Sequence, residues 1–392
     1  MRREVNTDSV SITYSTRSSS TLMTISITAI ILAAGKGERM RRIKPLLPLG
    51  KGTVIAHVAG SFRAAGIEDI RIVLGYRFND IIPELKKNNL GWIVNEHYEQ
   101  GMLSSVKTGI QALGQKTEAF LVMPVDIPLV RPPTLQAIKN AQVNHPGQII
   151  YPSFQGHRGH PPLIPISLKE TILAYAGKGG LRRCLKAWDN DSLDMAVDDQ
   201  GVLLDMDTPD DYAVIMDRFE CIDIPSKTEA LALLTIRQPD NPTVRDHSRM
   251  VAYVATTIGK SVHKNGIDVN ISLIEAAAIL HDIAKGQPRH ARKGAELIAV
   301  KGFQAVADVV EQHMNLVFDP LNGIHEAEVV YLADKMVSGS EIVPLEKRIL
   351  WKKEQFGTDP EALKMMTFRM DQAVRIREAV EQLIGGPLDG LL

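Results

Sequence analysis

Cysteine is nearly absent. Of 392 residues only Cys184 and Cys221 are cysteines, and they form no CxxC pair. That argues against a disulfide framework and a thiolate metal site, and leaves two free thiols as expected in a reducing cytoplasm. Charge of one sign is not in excess either: 45 Lys+Arg face 46 Asp+Glu, for a net charge of −1. The chain therefore lacks the global basic field that nucleic acid or an anionic membrane would favour. No apolar run is long enough to span a bilayer. Residues 1–22 are rich in Ser, Thr and Arg, poor in acids and without an apolar centre, which excludes a secretory signal. Residues 1–23 read as a disordered extension, or as sequence upstream of a later start at Met23; a transit peptide fits the composition only loosely.

What remains is globular in character, with 44% hydrophobic and 23% charged residues, and the length predicts two domains. From 24 to 222 strands and helices alternate. The apolar runs Ile25–Leu32, Ile70–Leu74 and Ala119–Pro124 read as strands buried on both faces, with helices over 54–65, 80–87 and 104–113. This pattern predicts a doubly wound α/β domain with its site at the carboxyl ends of the strands. Residues 223–242, broken by Pro225, Pro239 and Pro242, read as a linker carrying a short helix over Glu229–Ile236. Over 243–340 strand signals give way to helical periodicity, and 341–392 read as a charged amphipathic tail that packs on the helical domain.

Two groups of residues carry chemistry. The first strand runs into Ala33-Ala34-Gly35-Lys36-Gly37-Glu38-Arg39. Small residues let backbone N–H groups approach phosphate oxygens, and Arg39 and Lys44 add positive charge. The spacing is neither that of a Walker A loop nor of a dinucleotide fingerprint. Asp126 follows the strand ending at Pro124 and is placed to hold Mg²⁺. Asp207 offers a second carboxylate, with an N-terminal helix cap as its plain alternative.

In the other half, His247, His281-Asp282 and Asp334 supply imidazoles and carboxylates for a divalent metal, and His290 and His313 are further candidates. Such ligands suit Mn, Fe, Ni or Zn better than Ca.

The first half resembles the molybdenum-cofactor nucleotidyltransferases, within the glycosyltransferase-A-like group. The matching pieces are Leu32-Ala33-Ala34-Gly35 with Arg39-Met40, Lys44-Pro45-Leu46-Leu47, Gly101-Met102-Leu103-Ser104-Ser105, Pro124-Val125-Asp126, Arg158-Gly159-His160-Pro161 and Asp207-Thr208-Pro209. The resemblance implies a Rossmann-like nucleotidyltransferase in which Ala33, Ala34, Gly35, Gly37 and Lys44 bind the triphosphate. Asp126, shared with Asp207, would hold Mg²⁺, Ser104 and Ser105 would approach the nucleotide, and His160 would lie toward the pterin. The LAAG opening is nearer the cytidylyl than the guanylyl branch. CTP, or another NTP, and a molybdopterin cofactor are the implied partners, with a molybdoenzyme or its maturation chaperone downstream. One departure is Arg41, where the family often has glycine.

The second half resembles the HD phosphohydrolases, whose metal pattern is matched by His247, His281, Asp282 and Asp334. His290 and His313 match the extra histidines of binuclear members, and Lys285 a lysine that contacts substrate phosphate. An all-α HD domain with a divalent transition metal is implied. The whole chain then reads as a cytoplasmic cytidylyltransferase, with Arg39, Lys44 and Asp126 catalytic, fused to a metal-dependent hydrolase in which Lys285 is catalytic. The alternative is a transferase for another phosphorylated substrate, such as a sugar phosphate, with the HD domain as a regulatory nucleotide sensor.

Overall fold

A computed structural model describes residues 26–392, so the amino-terminal extension expected over 1–23 lies outside the described residues. The first half is built on one eight-stranded sheet. Its strands are β1 (Ile27–Ala33), β2 (Asp69–Leu74), β3 (Trp92–Val94), β4 (Ala119–Pro124), β5 (Ile150–Phe154), β6 (His157–Arg158), β7 (Leu163–Pro165) and β8 (Leu193–Ala196). They run in the order β8-β5-β7-β4-β1-β2-β3, with β6 folded back on β5. β1 is parallel to both neighbours, Ala33 pairing with Leu74 and Leu32 with Pro124. β7 runs antiparallel to both β4 and β5.

β1 is buried along its whole length, which is why no polar alternation shows in its sequence. Its side chains divide between two cores. Ala29 and Ile31 pack with α1 (Val54–Ala64), α2 (Phe78–Lys87) and α4 (Pro132–Asn144), whereas Ile30 and Leu32 pack with α3 (Met102–Gln111). On α3, a Cβ at Gly109 would sit 2.4 Å from Ile30 Cγ2, so only glycine lets the helix approach this closely. The connection out of β1 thus runs on one face of the sheet and the connection into β4 on the other. The loops after β1 and β4 part there and leave a crevice between them.

The second half is helical. After α5 (Pro209–Glu220) come α6 (Lys227–Arg237), α7 (Pro242–Lys264), α8 (Ile271–Leu280), α9 (His290–Ala299), α10 (Gln304–Gln312), α11 (Glu326–Met336), α12 (Leu345–Phe356) and α13 (Pro360–Ile384). Asn241 and Asn270 cap α7 and α8 through their side chains. α8 is the central helix: Ala276 to Leu280 are all buried, and the small alanines admit neighbours on every side. Residues 223–242, expected as a linker carrying a short helix over 229–236, contain α6, whose Ala230, Leu233 and Leu234 join the helical core. The tail also packs: Met366, Met370, Ala373, Ile376 and Val380 of α13 lie in the same core.

The halves meet at Arg131, the residue before α4. Its buried guanidinium lies between Asp199 and Glu229, donates to the Asp198 carbonyl and covers the Phe303 ring 4.7 Å away. Beside it, Lys301 Nζ pairs with Asp198 Oδ1 at 2.5 Å. Among the described residues, no helix is long and apolar enough to cross a membrane.

Candidate functional site

The crevice at the β1–β4 switch point is a cleft of about 300 Å³, walled by Ala33, Ala34, Gly35, Gly37, Lys44, Ser105 and Asp126, among others. Gly37 has φ +60°, and a Cβ there would press on the Arg42 carbonyl oxygen at 2.9 Å. Arg41 also occupies the left-handed region, at φ 53°. Glycine adopts that conformation freely, which gives a physical sense to the glycine that the resemblance leads one to expect there.

Lys44 organises the cleft. Its Nζ lies 2.8 Å from Asp126 Oδ2 and 2.7 Å from Asp207 Oδ1, while Arg39 pairs with Asp207 Oδ2 at 2.6 Å. Burial works against the Lys44 charge, but the hydrogen bonds to the two carboxylates outweigh it and raise its pKa. The bond from Lys44 in turn holds the Asp207 pKa below the usual carboxylate range. Two carboxylates thus converge on one cation, and their all-oxygen donor set fits Mg²⁺. Asp207 is not the helix cap: Thr208 caps α5, in a reciprocal box with Asp211.

Two expected contacts fall outside the cleft wall. The Ser104 hydroxyl accepts from Asn95 Nδ2 at 2.8 Å and faces the His97 and Gly101 carbonyls at 2.9 and 2.8 Å, so it ties the turn ahead of α3. His160 is largely buried, its Nδ1 has no hydrogen-bond partner, and burial lowers its pKa. Arg158, in the same motif, is held by Asp189 and Asp194 and lies over the Tyr151 ring. Sequence reasoning missed Tyr98, which also lines the wall, while the exposed Met102 there belongs to the Gly101–Ser105 motif already singled out.

In the helical half the six candidate ligands converge as two triads. His247, His281 and Asp334 form one and Asp282, His290 and His313 the other, the ligand atoms of each lying within 4.8 Å of one another. Asp282 joins them: Oδ2 lies 3.5 Å from His281 Nε2, and Oδ1 lies 3.3 Å from His290 Nε2 and 3.7 Å from His313 Nε2. The Nδ1 atoms of His247, His281 and His313 lie 2.9, 2.8 and 2.7 Å from the backbone carbonyls of Gly339, Ala278 and Val310. Donation to those carbonyls fixes each ring and turns the Nε2 lone pair inward, as a metal ligand requires.

The atoms left over test the fit. His281 Nε2 and Asp282 Oδ1 are buried without a hydrogen-bond partner. Burial disfavours charge on His281, but Asp282 and Asp334 outweigh it and lift its pKa to about 10, marking a place that demands a cation. Burial also drives the His313 pKa down to about 4, keeping that ring neutral. The donor set of imidazoles and carboxylates fits divalent transition metals. Lys285, half-exposed, pairs with Asp282 Oδ2 at 2.9 Å. Lys335, not foreseen, is buried and pairs with Asp334 Oδ2 at 2.5 Å. His263 and His325 lie exposed, away from both triads.

Fold and sites define an α/β domain with a cation-centred cleft, followed by a helical domain with a histidine–aspartate centre. Residues 29–193 match the MobA-like NTP transferase domain, and residues 244–338 match the HD domain. The chain is a MobA-like nucleotidyltransferase domain fused to an HD domain. It is similar, at 28% identity over 195 residues, to the molybdenum cofactor cytidylyltransferase of Escherichia coli (strain K12), across 49% of this chain and 97% of that protein. It is as similar, at 29% over 194 residues, to the nicotine blue oxidoreductase of Paenarthrobacter nicotinovorans, across 46% and 92%. A solved nucleotidyl transferase from Methanothermobacter thermautotroptrophicus aligns at 23% identity and TM-score 0.45, across 50% of this chain and 98% of that one. Two relatives with different activities are equally similar, so identity alone does not choose the substrate.

Proposed function

We propose that the first half transfers CMP from CTP to a phosphate group of a molybdopterin-type cofactor, and that the HD half hydrolyses a phosphate ester. The reading takes the protein to be cytoplasmic, in keeping with its two free cysteines. The observation that supports the transferase most is Lys44 gripping both Asp126 and Asp207 at the mouth of the switch-point cleft. A phosphate oxygen of the acceptor attacks the α-phosphorus of CTP, the bond to the bridging oxygen breaks, and pyrophosphate leaves with its electron pair. No protein nucleophile is needed. The 33–37 backbone positions the triphosphate, while Lys44 and Arg39 neutralise charge that develops on the phosphates. Mg²⁺ on Asp126 and Asp207 would add to that neutralisation.

In the HD half, His247, His281, Asp282, His290, His313 and Asp334 would hold the metal. When bound, it supplies Lewis acidity toward a phosphoryl group and toward water. Lys285 offers its ammonium to the phosphate, and the carbonyl-anchored rings keep the ligand set rigid.

The test uses the full chain with CTP, Mg²⁺ and molybdenum cofactor, measuring pyrophosphate release. Release with a sugar 1-phosphate instead would replace the cofactor reading. Mn²⁺-dependent cleavage of bis(p-nitrophenyl) phosphate should disappear in Asp282→Ala and survive in Asp126→Ala. Cleavage retained in Asp282→Ala would remove the hydrolase.

A further inference from the structure

The HD residues do not enclose their own cleft. The cavity over the histidine–aspartate centre measures about 520 Å³, and part of its wall is α12 and α13, which follow the last residue matched to the HD domain. This wall joins positive charge to apolar surface. Arg348 donates to the carbonyls of Asp334 and Val337, Lys352 to Gln355, and Arg369 to Asn315. Among the described residues, none of the three is ion-paired with a carboxylate. Burial, then Arg348 and Lys285, lower the Lys352 pKa against the opposing charge of Asp334, as expected of cations crowded together with no carboxylate paired to them. On the same wall Met365 is 44% exposed, next to the half-buried Phe356 and the buried Met366. Methionine is soft and adaptable, and suits a flat ring laid against it.

The carboxylates that share the cavity, Asp282 and Asp334, are metal ligands in the reading above and so are committed elsewhere. The wall therefore calls for an anion, and its apolar part calls for a ring. We propose that α12 and α13 form the specificity wall of the HD centre and select a phosphate ester carrying a flat apolar ring. The phosphate meets Lys352 and Arg369, and the ring rests on Met365, Met366 and Phe356. This inference rests on the hydrolase reading of the HD half. The volume suits a ligand the size of a mononucleotide, and a nucleobase and a pterin share the required chemistry.

The experiment is calorimetric titration of the full chain, loaded with Mn²⁺, with phenylphosphonate, methylphosphonate and inorganic phosphate. The metal content of each sample is measured as well. Phenylphosphonate should bind about tenfold more tightly than methylphosphonate. Lys352→Gln should weaken all three by roughly five- to tenfold, since it removes a charge-assisted contact to phosphate. Met365→Gln combined with Phe356→Ala should weaken phenylphosphonate alone. CMP and a pterin monophosphate, added as competitors, distinguish the two sources of the ring by which displaces phenylphosphonate at the lower concentration. Full Mn²⁺ occupancy with equal phenyl and methyl affinities would overturn the wall while leaving the hydrolase reading intact. So would a ring preference that survives the double variant, or failure of both competitors. Absence of bound Mn²⁺ would instead strike the hydrolase reading.

Discussion

The Nε2 atoms of His290 and His313 stand 3.2 Å apart. Nδ1 of His313 already faces the Val310 carbonyl at 2.7 Å, so its Nε2 carries a lone pair. At this distance His290 Nε2 must meet that lone pair with a proton or share a metal with it, because a second lone pair there would repel it. With Asp282 Oδ1 beside both rings, this end of the centre offers a second set of three ligand atoms, separate from the His247 triad. His290→Ala should therefore reduce bound divalent metal from about two ions per chain to about one, because one triad loses a ligand while the other keeps all of its own. Elemental analysis of the purified chain decides it; unchanged stoichiometry would dismiss the second position.

Lys44 separates two carboxylates that would otherwise face one another. Lys44→Met should cost about 1–3 kcal/mol of stability in chelator, and Mg²⁺ should restore part of that loss. Transfer should still fall by about 10²–10³. Thermal melts with EDTA and with Mg²⁺ give the first two results and pyrophosphate release the third. Melts insensitive to Mg²⁺ would mean that Asp126 and Asp207 do not share a cation.

The His281 pKa lies above its ordinary value, at about 10. A raised folded-state pKa contributes stability that is fully present below pH 6.5 and lost as pH rises toward 10. The chelated protein should therefore melt at progressively lower temperature between pH 6.5 and 10. A bound metal takes over the role of the proton, so the loaded protein should show a much shallower slope. Calorimetric scans of both forms across this range check it, and parallel slopes would refute it.

Arg131 is buried between Asp199 and Glu229, with the Phe303 ring beneath it. Arg131→Ala would leave two buried carboxylates short of a cation, which costs about 3–5 kcal/mol. Asp199 and Glu229 belong to different halves of the chain, so both halves should lose stability. Hydrogen exchange resolved by segment would report protection lost on both sides of 221–226; loss confined to one side would contradict the prediction.

Arg41 holds a left-handed backbone at φ 53°. That conformation costs a side-chain-bearing residue about 1–2 kcal/mol, of which glycine's extra unfolded entropy cancels about 0.5–1. Arg41→Gly should raise stability by up to about 1 kcal/mol without loss of transfer. Denaturant unfolding measures the gain, and a loss would show that the Arg41 side chain makes a compensating contact.

The sites were legible in the sequence to different depths. Asp126 could be singled out because a buried strand of six residues ends just before it, and the candidate HD ligands because His-Asp is local and the rest fall on periodic helices. The region from 150 to 196 was not legible: β7 has three residues and β6 two, too short for any alternation to show. Lys44 was read as a phosphate contact, but its place between Asp126 and Asp207 depends on side chains 82 and 163 residues away. The backbone carbonyls that orient the histidines carry no side-chain identity at all. The short helix over 229–236 was legible inside the linker, but only tertiary packing shows that its apolar face joins the helical core.

Glu229 of α6 pairs with Arg131 at 3.1 Å and also with Arg218 of α5, while its neighbour Ala230 sits in the helical core. One helix is thus fastened by charge to the first half and by apolar contact to the second. Cutting the gene ahead of it removes the acid that both arginines need; cutting behind it strips the helical bundle of a packed layer. Either fragment would expose what the intact chain conceals, so the two sites are better dissected by point substitution than by truncation.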